Sequence, residues 1–133
     1  MISRHVSVWV GVAPEIVYAI AADPEKLPRW ASGLAESALT QTADGWVADS
    51  PMGQVIVEFA PANEFGVLDH VVRMPSGEAV YNPLRVIPAG EGQARCEVVF
   101  TVRRRPGMTD EEFESDAATV AADLDRLRLL AEG

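Results

Sequence analysis

The sequence predicts an α+β protein in which an antiparallel sheet packs against one long C-terminal helix. Three observations carry this prediction. Residues 5–12 alternate between polar and apolar side chains, which is typical of a half-buried strand. Short strand-like segments separated by turn-forming residues fill the middle of the chain, and residues 108–133 show the apolar period of an amphipathic helix. Because such a helix needs a large apolar surface to cover, we expect it to lie against the sheet.

The first strand is followed by two short helices. In HVSVWVGV, residues 5–12, the valines at even positions share one face. Pro14 then suits the first turn of a helix, and the apolar period changes accordingly. Asp23 is expected to cap a second short helix, which Pro28 closes just before Trp30.

Short strands occupy most of the central part of the chain. Turn-forming segments such as ADG, APANE, PSG and PAGEGQ separate them. The strands are expected at roughly 36–41, 45–49, 53–59, 66–74, 78–87 and 95–103.

The strongest helix signal lies at the end of the chain. Thr109 and Glu112 have the spacing of a capping box at its start. One apolar stripe follows at spacings of three and four residues: Phe113, Ala117, Val120, Leu124, Leu127 and Ala131. The many acidic residues of this helix are expected to form its solvated face.

Composition and charge narrow the functional classes. The chain has 133 residues, 48% of them hydrophobic, and is expected to form one domain over residues 1–133. A net charge of −9 argues against partners such as nucleic acid and anionic membranes, and the basic run 103–105 is interpreted as a solvated strand end. The single Cys96 excludes an internal disulfide, and the sequence shows neither a signal peptide nor a membrane span. A cytoplasmic protein without metal or cofactor is therefore expected.

Asp69 and His70 are adjacent in an apolar run, which raises the possibility of a catalytic pair. Successive side chains of a strand point to opposite faces of the sheet. The even positions from Leu68 to Met74 are apolar apart from His70 and are expected to face inward, so Asp69 faces outward. The sequence therefore predicts that the two side chains do not meet.

The register of the neighbouring hairpins follows from the same pattern. Met74 opposite Glu78 would pair Val72 with Val80, His70 with Asn82 and Leu68 with Leu84. In the next hairpin Asn82 would face Phe100, Leu84 would face Val98, and Val86 would face Cys96. On the outer side Arg85 would face Glu97, with Asp69 diagonal to Arg85.

This register places His70 beside Asn82 on an apolar concave surface. Buried polar groups need partners, so the two side chains could satisfy each other. Alternatively, they could orient a ligand in a mostly apolar pocket. Cys96, on the same face, is interpreted as a small apolar filler.

Several segments resemble the SRPBCC superfamily, which includes START-like, Bet v 1-like and polyketide cyclase/dehydrase-like domains. They are the first strand running into APEIVYAIAADPEKLPRW, NPLRVIP in the central strands, and FTVRRRPGMTDEEF before the last helix. The resemblance implies a helix-grip fold, a curved antiparallel sheet wrapped around the C-terminal helix, with a hydrophobic cavity between them. It supplies no catalytic motif that can be transferred to this chain.

The predicted ligand-binding residues combine this cavity with the inward faces of the strands. They are Trp30, Val55, Val57, Leu68, His70, Val72, Asn82, Leu84, Val98, Phe100, Val120 and Leu124. Trp30 is expected at the cavity entrance, as a structural plug or as a stacking surface for the ligand.

Three functions fit this reading. The first is binding of a small hydrophobic molecule, lipid-like or polyketide-like, in a cavity of several hundred Å³. The second is a polyketide cyclase or aromatase-like enzyme in which His70 is the catalytic acid or base. The third is a protein-interaction module of the Hsp90-activator type, with a collapsed interior. An outer face containing Trp9, Val71, Tyr81 and Val99 also suggests a homodimer.

Overall fold

The computed structural model describes residues 2–133 and confirms the predicted α+β architecture with a curved antiparallel sheet. The described strands are β1 (Ser3–Val10), β2 (Thr40–Thr42), β3 (Gly45–Ser50), β4 (Gly53–Phe59), β5 (His70–Arg73), β6 (Ala79–Asn82), β7 (Leu84–Pro88) and β8 (Cys96–Arg103). The helices are α1 (Pro14–Ala21), α2 (Leu27–Trp30) and α3 (Asp110–Glu132), with a 3-10 turn at Pro24–Lys26.

The strands form two antiparallel sheets, in the orders β1-β8-β7 and β2-β3-β4-β5-β6. The segment predicted as one strand over 78–87 is interrupted at Pro83, which has no N–H to donate to a ladder. The two sheets are nevertheless connected beside Pro83. Val67 bridges to Arg85, and the Leu68 N–H donates to the Leu84 carbonyl at 2.8 Å.

The strand predicted over 66–74 begins only at His70, because a tight turn precedes it. The Asn63 carboxamide oxygen accepts the N–H groups of Phe65 and Val67, at 3.0 and 3.1 Å. Gly66 within this turn has a φ of +72°, in the left-handed region that favours glycine. The Asn63 side chain therefore shapes the start of the predicted strand, while Gly66 and Leu68 bond to the backbone of β7.

The strand predicted over 36–41 is also shorter than expected. Only Thr40–Thr42 pairs with β3, and the residues before it form a loop. The Glu36 N–H donates to the Asp49 carbonyl at 2.8 Å, which holds this loop beside the end of β3.

The predicted register is confirmed for the first hairpin and wrong for the second. His70 lies opposite Asn82, and Val72 lies opposite Val80. In the β7–β8 hairpin, however, Leu84 faces Phe100 rather than Val98. The corresponding pairs Asn82 with Phe100, Val86 with Cys96 and Arg85 with Glu97 are not formed, since Val86 faces Val98 and Arg85 faces Val99.

The register error comes from the position of the β7–β8 turn. The predicted pair of Val86 with Cys96 centres the turn on Glu91, whereas the observed pair of Pro88 with Cys96, continued by the Ala89 N–H donating to the Arg95 carbonyl at 3.2 Å, centres it on Gly92. Gly92 adopts a φ of +75° within the turn that the Gln93 N–H closes on the Gly90 carbonyl. Moving the centre of the turn by one residue shifts the register by two, which keeps every side chain on its predicted face.

Helix α3 begins with the predicted capping box. The Thr109 hydroxyl accepts the Glu112 N–H at 3.1 Å, and the Glu112 carboxylate accepts the Thr109 N–H at 3.0 Å. The stripe from Phe113 to Ala131 is buried, apart from the partly buried Val120. The helix packs on β1 and β8, and α1 and α2 also contact it.

Candidate functional site

A cavity of about 130 Å³ lies between the sheet and α3, beneath α2 and the loop that follows it. This volume is below the predicted several hundred Å³ and close to the ~150 Å³ of an engineered apolar cavity that accepts benzene. Nine of the predicted ligand-binding residues line it: Trp30, Leu68, His70, Val72, Asn82, Leu84, Phe100, Val120 and Leu124. The interior is therefore not collapsed, although the space is small.

The other three predicted lining residues, Val55, Val57 and Val98, lie outside the cavity. Each is fully buried in the packed core. Strand alternation correctly places such side chains on the inner face, but it does not determine whether neighbouring side chains fill the space opposite them. Val98 lies on β8, which α3 contacts, and it belongs to the same core cluster as Leu124 and Leu127 of that helix.

His70 lies at the start of β5 and is only 7% exposed. Its ring packs against Phe59 and Phe100, with centroid distances of 6.2 and 5.9 Å. Nδ1 lies 3.0 Å from the carbonyl oxygen of Leu68. Since a carbonyl oxygen can only accept, Nδ1 carries the proton in this contact. Burial lowers the pKa of His70, so the ring is neutral at neutral pH and Nε2 keeps its lone pair.

Asp69 is bonded on the opposite face of the sheet, as the alternation predicts. Its carboxylate accepts hydrogen bonds from Nε and Nη2 of Arg85, at 2.8 and 2.7 Å. It also accepts hydrogen bonds from the Tyr81 hydroxyl at 2.7 Å and from the Leu84 N–H at 3.0 Å. Arg85 is the main reason why the pKa of Asp69 falls far below its ordinary value. No hydrogen bond joins Asp69 to His70, so the pair is not a catalytic dyad.

Asn82 lies directly opposite His70, and both side chains line the cavity. Among residues 2–133, neither the Asn82 carboxamide nor His70 Nε2 has a hydrogen-bond partner. The alternative in which the two side chains satisfy each other is therefore not seen. Two neighbouring polar groups in an apolar wall retain unused hydrogen-bonding capacity.

Trp30 is the last residue of α2 and is 4% exposed. Its indole Nε1–H is buried and has no acceptor within the described part of the chain. An unsatisfied buried donor costs about 1–3 kcal/mol. Trp30 therefore lies in the cavity wall and has an N–H group that is free to bond to a ligand.

Charged residues near the mouth of the cavity were not predicted. Asp116, Asp123, Arg103 and Arg105 all contribute to its lining. Asp123 is only 8% exposed, which contradicts the expectation that the acids of α3 are solvated. The sequence did contain a signal, because Asp123 lies three residues after Val120 and therefore on the apolar stripe.

Asp123 holds the loop after α2 against α3. It accepts the Ser32 hydroxyl at 3.0 Å and the Gly33 N–H at 3.2 Å, and it pairs with Arg126. Arg126 also donates to the Trp30 carbonyl at 3.3 Å. This polar cluster fixes the segment that covers one side of the cavity.

The outer-face residues proposed for a dimer do not form a continuous apolar surface. Trp9 and Tyr81 are about half exposed. Arg95 lies 5.4 Å from the Trp9 ring centroid, and Arg103 lies 5.6 Å from that of Tyr81. Glu97 also pairs with Trp9 across β1 and β8. Charged groups therefore interrupt the face.

Residues 2–133 contain no cluster of three or more His, Cys, Asp or Glu side chains that could hold a metal ion. Over the same residues, no helix has both the length and the apolar character needed to cross a membrane.

Comparison with known proteins supports the fold and its family. Residues 1–132 match the family described as polyketide cyclase / dehydrase and lipid transport. No protein with a curated description matches the chain.

Solved structures share the fold at low sequence identity. The protein XoxI from Bacillus cereus is 15% identical, with a TM-score of 0.75 over 98% of this chain and 95% of its own. A START superfamily protein from Mycobacterium smegmatis is 14% identical, with a TM-score of 0.68 over 98% and 97%. Truncated norcoclaurine synthase from Thalictrum flavum is 16% identical, with a TM-score of 0.64 over 97% and 92%.

Proposed function

Because the chain belongs to the polyketide cyclase / dehydrase and lipid transport family, we propose that it binds a small, mainly apolar molecule between the sheet and α3. The observation that carries this proposal is the cavity itself. Its wall is mostly apolar and contains a few polar groups that lack partners, which is the usual composition of a small-molecule site.

The volume of the cavity restricts the size of the ligand more narrowly than the fold does. At about 130 Å³, the cavity accommodates a molecule of roughly one aromatic ring. A lipid or a multi-ring polyketide requires the loop after α2 to move away from α3. The hydrogen bonds of Ser32 and Gly33 to Asp123 oppose this movement.

His70, Asn82 and Trp30 supply the polar contacts of the proposed site. His70 Nε2 is an acceptor, the indole N–H of Trp30 is a donor, and the Asn82 carboxamide can act as either. Apolar burial at about 25 cal/mol per Å² supplies most of the binding free energy. The polar groups then determine how the ligand is oriented.

Native mass spectrometry of the purified protein tests this function by detecting a ligand that co-purifies. The His70→Ala and Asn82→Leu variants are each expected to weaken binding of that ligand about tenfold, since one hydrogen bond is lost. His5→Ala is the matched control, because His5 is exposed and contacts Thr101. Unchanged affinity in both cavity variants contradicts the proposed polar role.

An enzyme of the cyclase type is the second candidate. The unprotonated Nε2 of a buried, neutral His70 favours it, because this atom can take a proton from a bound substrate. With a polyketide-type substrate, His70→Gln is expected to lower kcat by at least a hundredfold while KM changes little. Undiminished turnover in that variant excludes His70 as the base.

A further inference from the structure

The contacts of the His70 ring determine which of its nitrogens can bond to a ligand. Nδ1 of His70 donates to the Leu68 carbonyl at 3.0 Å, which leaves Nε2 without a proton on a neutral ring. The ring is held against Phe59 and Phe100, so it does not rotate freely to present Nδ1 instead. This side of the cavity therefore offers a lone pair and requires a donor from the ligand.

Asn82 supplies the complementary group. It is the antiparallel partner of His70, and opposite residues of a strand pair have Cβ atoms about 4.5–5.5 Å apart. One ligand atom can thus contact both side chains. An atom that donates to Nε2 and accepts from the Asn82 amide must be both donor and acceptor, and a hydroxyl oxygen has this property.

We propose that His70 and Asn82 form a subsite for a neutral hydroxyl group, and that the ligand is a compact hydroxylated ring compound of the phenol class. This inference rests on the proposed function and specifies the chemistry of the same cavity. The hydroxyl donates a hydrogen bond to His70 Nε2, and its oxygen accepts a hydrogen bond from the Asn82 carboxamide N–H. The ring of the ligand occupies the apolar space between Phe100 and Leu124.

Charged ligands fit this subsite poorly. A carboxylate has no proton to donate and meets the lone pair of Nε2 in an apolar environment. The cations in the cavity lining are already engaged near its mouth, because Arg105 pairs with Glu78 at 2.7 Å and Arg103 lies over Tyr81. The two carboxylates of the lining favour an ammonium group little, because Asp123 is bonded to Ser32 and Arg126, and Asp116 is exposed to water near the mouth.

Three single-ring probes test the inference. Phenol and toluene have nearly the same shape and differ in the hydroxyl, and benzoate adds a full negative charge. Each is titrated into the ¹⁵N-labelled protein while the indole N–H signal of Trp30 is followed by NMR. The indole signals of Trp9 and Trp46, which do not line the cavity, serve as internal controls.

We expect phenol to bind about tenfold more tightly than toluene, and benzoate to bind more weakly than both. In His70→Phe the ratio of phenol to toluene affinity is expected to fall to about one, since the ring is kept and the acceptor is lost. Asn82→Leu should reduce the ratio as well. His5→Phe, on the exposed outer histidine, should leave it unchanged.

A direct readout does not depend on the folding of any variant. In the unliganded wild type, the ¹⁵N shift of His70 Nε2 should be that of an unprotonated ring nitrogen, and it should move when phenol binds but not when toluene binds. A protonated Nε2 overturns the subsite.

The outcomes separate this inference from the proposed function. Equal affinity for phenol and toluene, or preferred binding of benzoate, refutes the hydroxyl subsite and leaves the apolar binding function standing. If none of the probes shifts the Trp30 signal, both are refuted. Selective phenol binding that His70→Phe abolishes supports both.

Discussion

Replacing Asp69 by Asn tests whether this residue is structural or catalytic. The carboxylate is 5% exposed and accepts four hydrogen bonds, two of them from Arg85. These bonds connect the residue before β5 to both β6 and β7, on either side of the break at Pro83. The substitution keeps the shape of the side chain, removes its charge and replaces one acceptor oxygen by an NH2 donor, so it removes the ion pair together with part of the hydrogen bonding.

The expected destabilisation follows from the burial of the two partners. Removing one partner of a fully buried ion pair costs about 3–5 kcal/mol. Here Asp69 is buried while the Arg85 side chain is 49% exposed, so water can solvate the freed guanidinium. We therefore expect Asp69→Asn to lower the free energy of unfolding by about 2–3 kcal/mol. This corresponds to a decrease in Tm of roughly 10 °C for a chain of this size.

Chemical denaturation at pH 7, together with a thermal scan, measures this loss. Glu58→Gln is the matched control, because Glu58 pairs with Arg73 at 3.0 Å on an exposed surface and should contribute less than ~1 kcal/mol. A loss for Asp69→Asn no larger than that of the control refutes the reasoning. Unchanged ligand affinity in the folded Asp69→Asn protein is also expected, since Asp69 faces away from the cavity.

The same ion pair predicts the acid sensitivity of the protein. The folded-state pKa of Asp69 lies below its ordinary 3.8, chiefly because Arg85 donates to it. Its contribution to stability is complete above that value and is lost as the pH falls below it. The stability difference between wild type and Asp69→Asn should therefore shrink in denaturation curves recorded at decreasing pH below about 4.

Further predictions concern the cap, a turn, the core and the buried histidine. Thr109→Ala should cost about 1 kcal/mol in a denaturant titration, because the capping box of α3 is lost. Gly66→Ala should cost at least ~2 kcal/mol by the same assay, since its Cβ would lie 2.2 Å from the Val86 carbonyl oxygen at a φ of +72°. Leu124→Ala should lose about 2–5 kcal/mol and enlarge the cavity, so that naphthalene binds the variant and not the wild type in an NMR titration. Burial lowers the pKa of His70 below its ordinary 6.5. The free energy of unfolding should therefore decrease as the pH falls below 6.5, because the unfolded chain then binds a proton that the folded chain does not. Denaturant titrations of wild type and His70→Gln between pH 7 and 5 should show this decrease in the wild type only.

Much of the local structure could be predicted from residue patterns alone. The spacing of Thr109 and Glu112 predicted the capping box, because that motif depends only on neighbouring residues. The alternation around His70 predicted its inward orientation and its pairing with Asn82. These features depend on periods of two or 3.6 residues, which the sequence displays directly.

The predictions failed where distant segments determine the result. The register of β7 and β8 depends on the residue at which the turn between them is centred, which turn propensities alone did not determine. Val98 was assigned to the cavity although it is buried in the core cluster that includes Leu124 and Leu127 of α3. Asp123 was assigned to the solvated face although Ser32, 91 residues earlier in the chain, binds it.

The sequence by itself determined the class of fold, the faces of the strands and helices, and the separation of Asp69 from His70, because each follows from local periodicity. Only the tertiary structure decided the volume of the cavity, the members of its wall and the charged groups at its mouth. The physical reason is that an unfilled space depends on how closely a distant helix approaches a curved sheet. A difference of a few ångströms in that approach separates a solid core from a binding site.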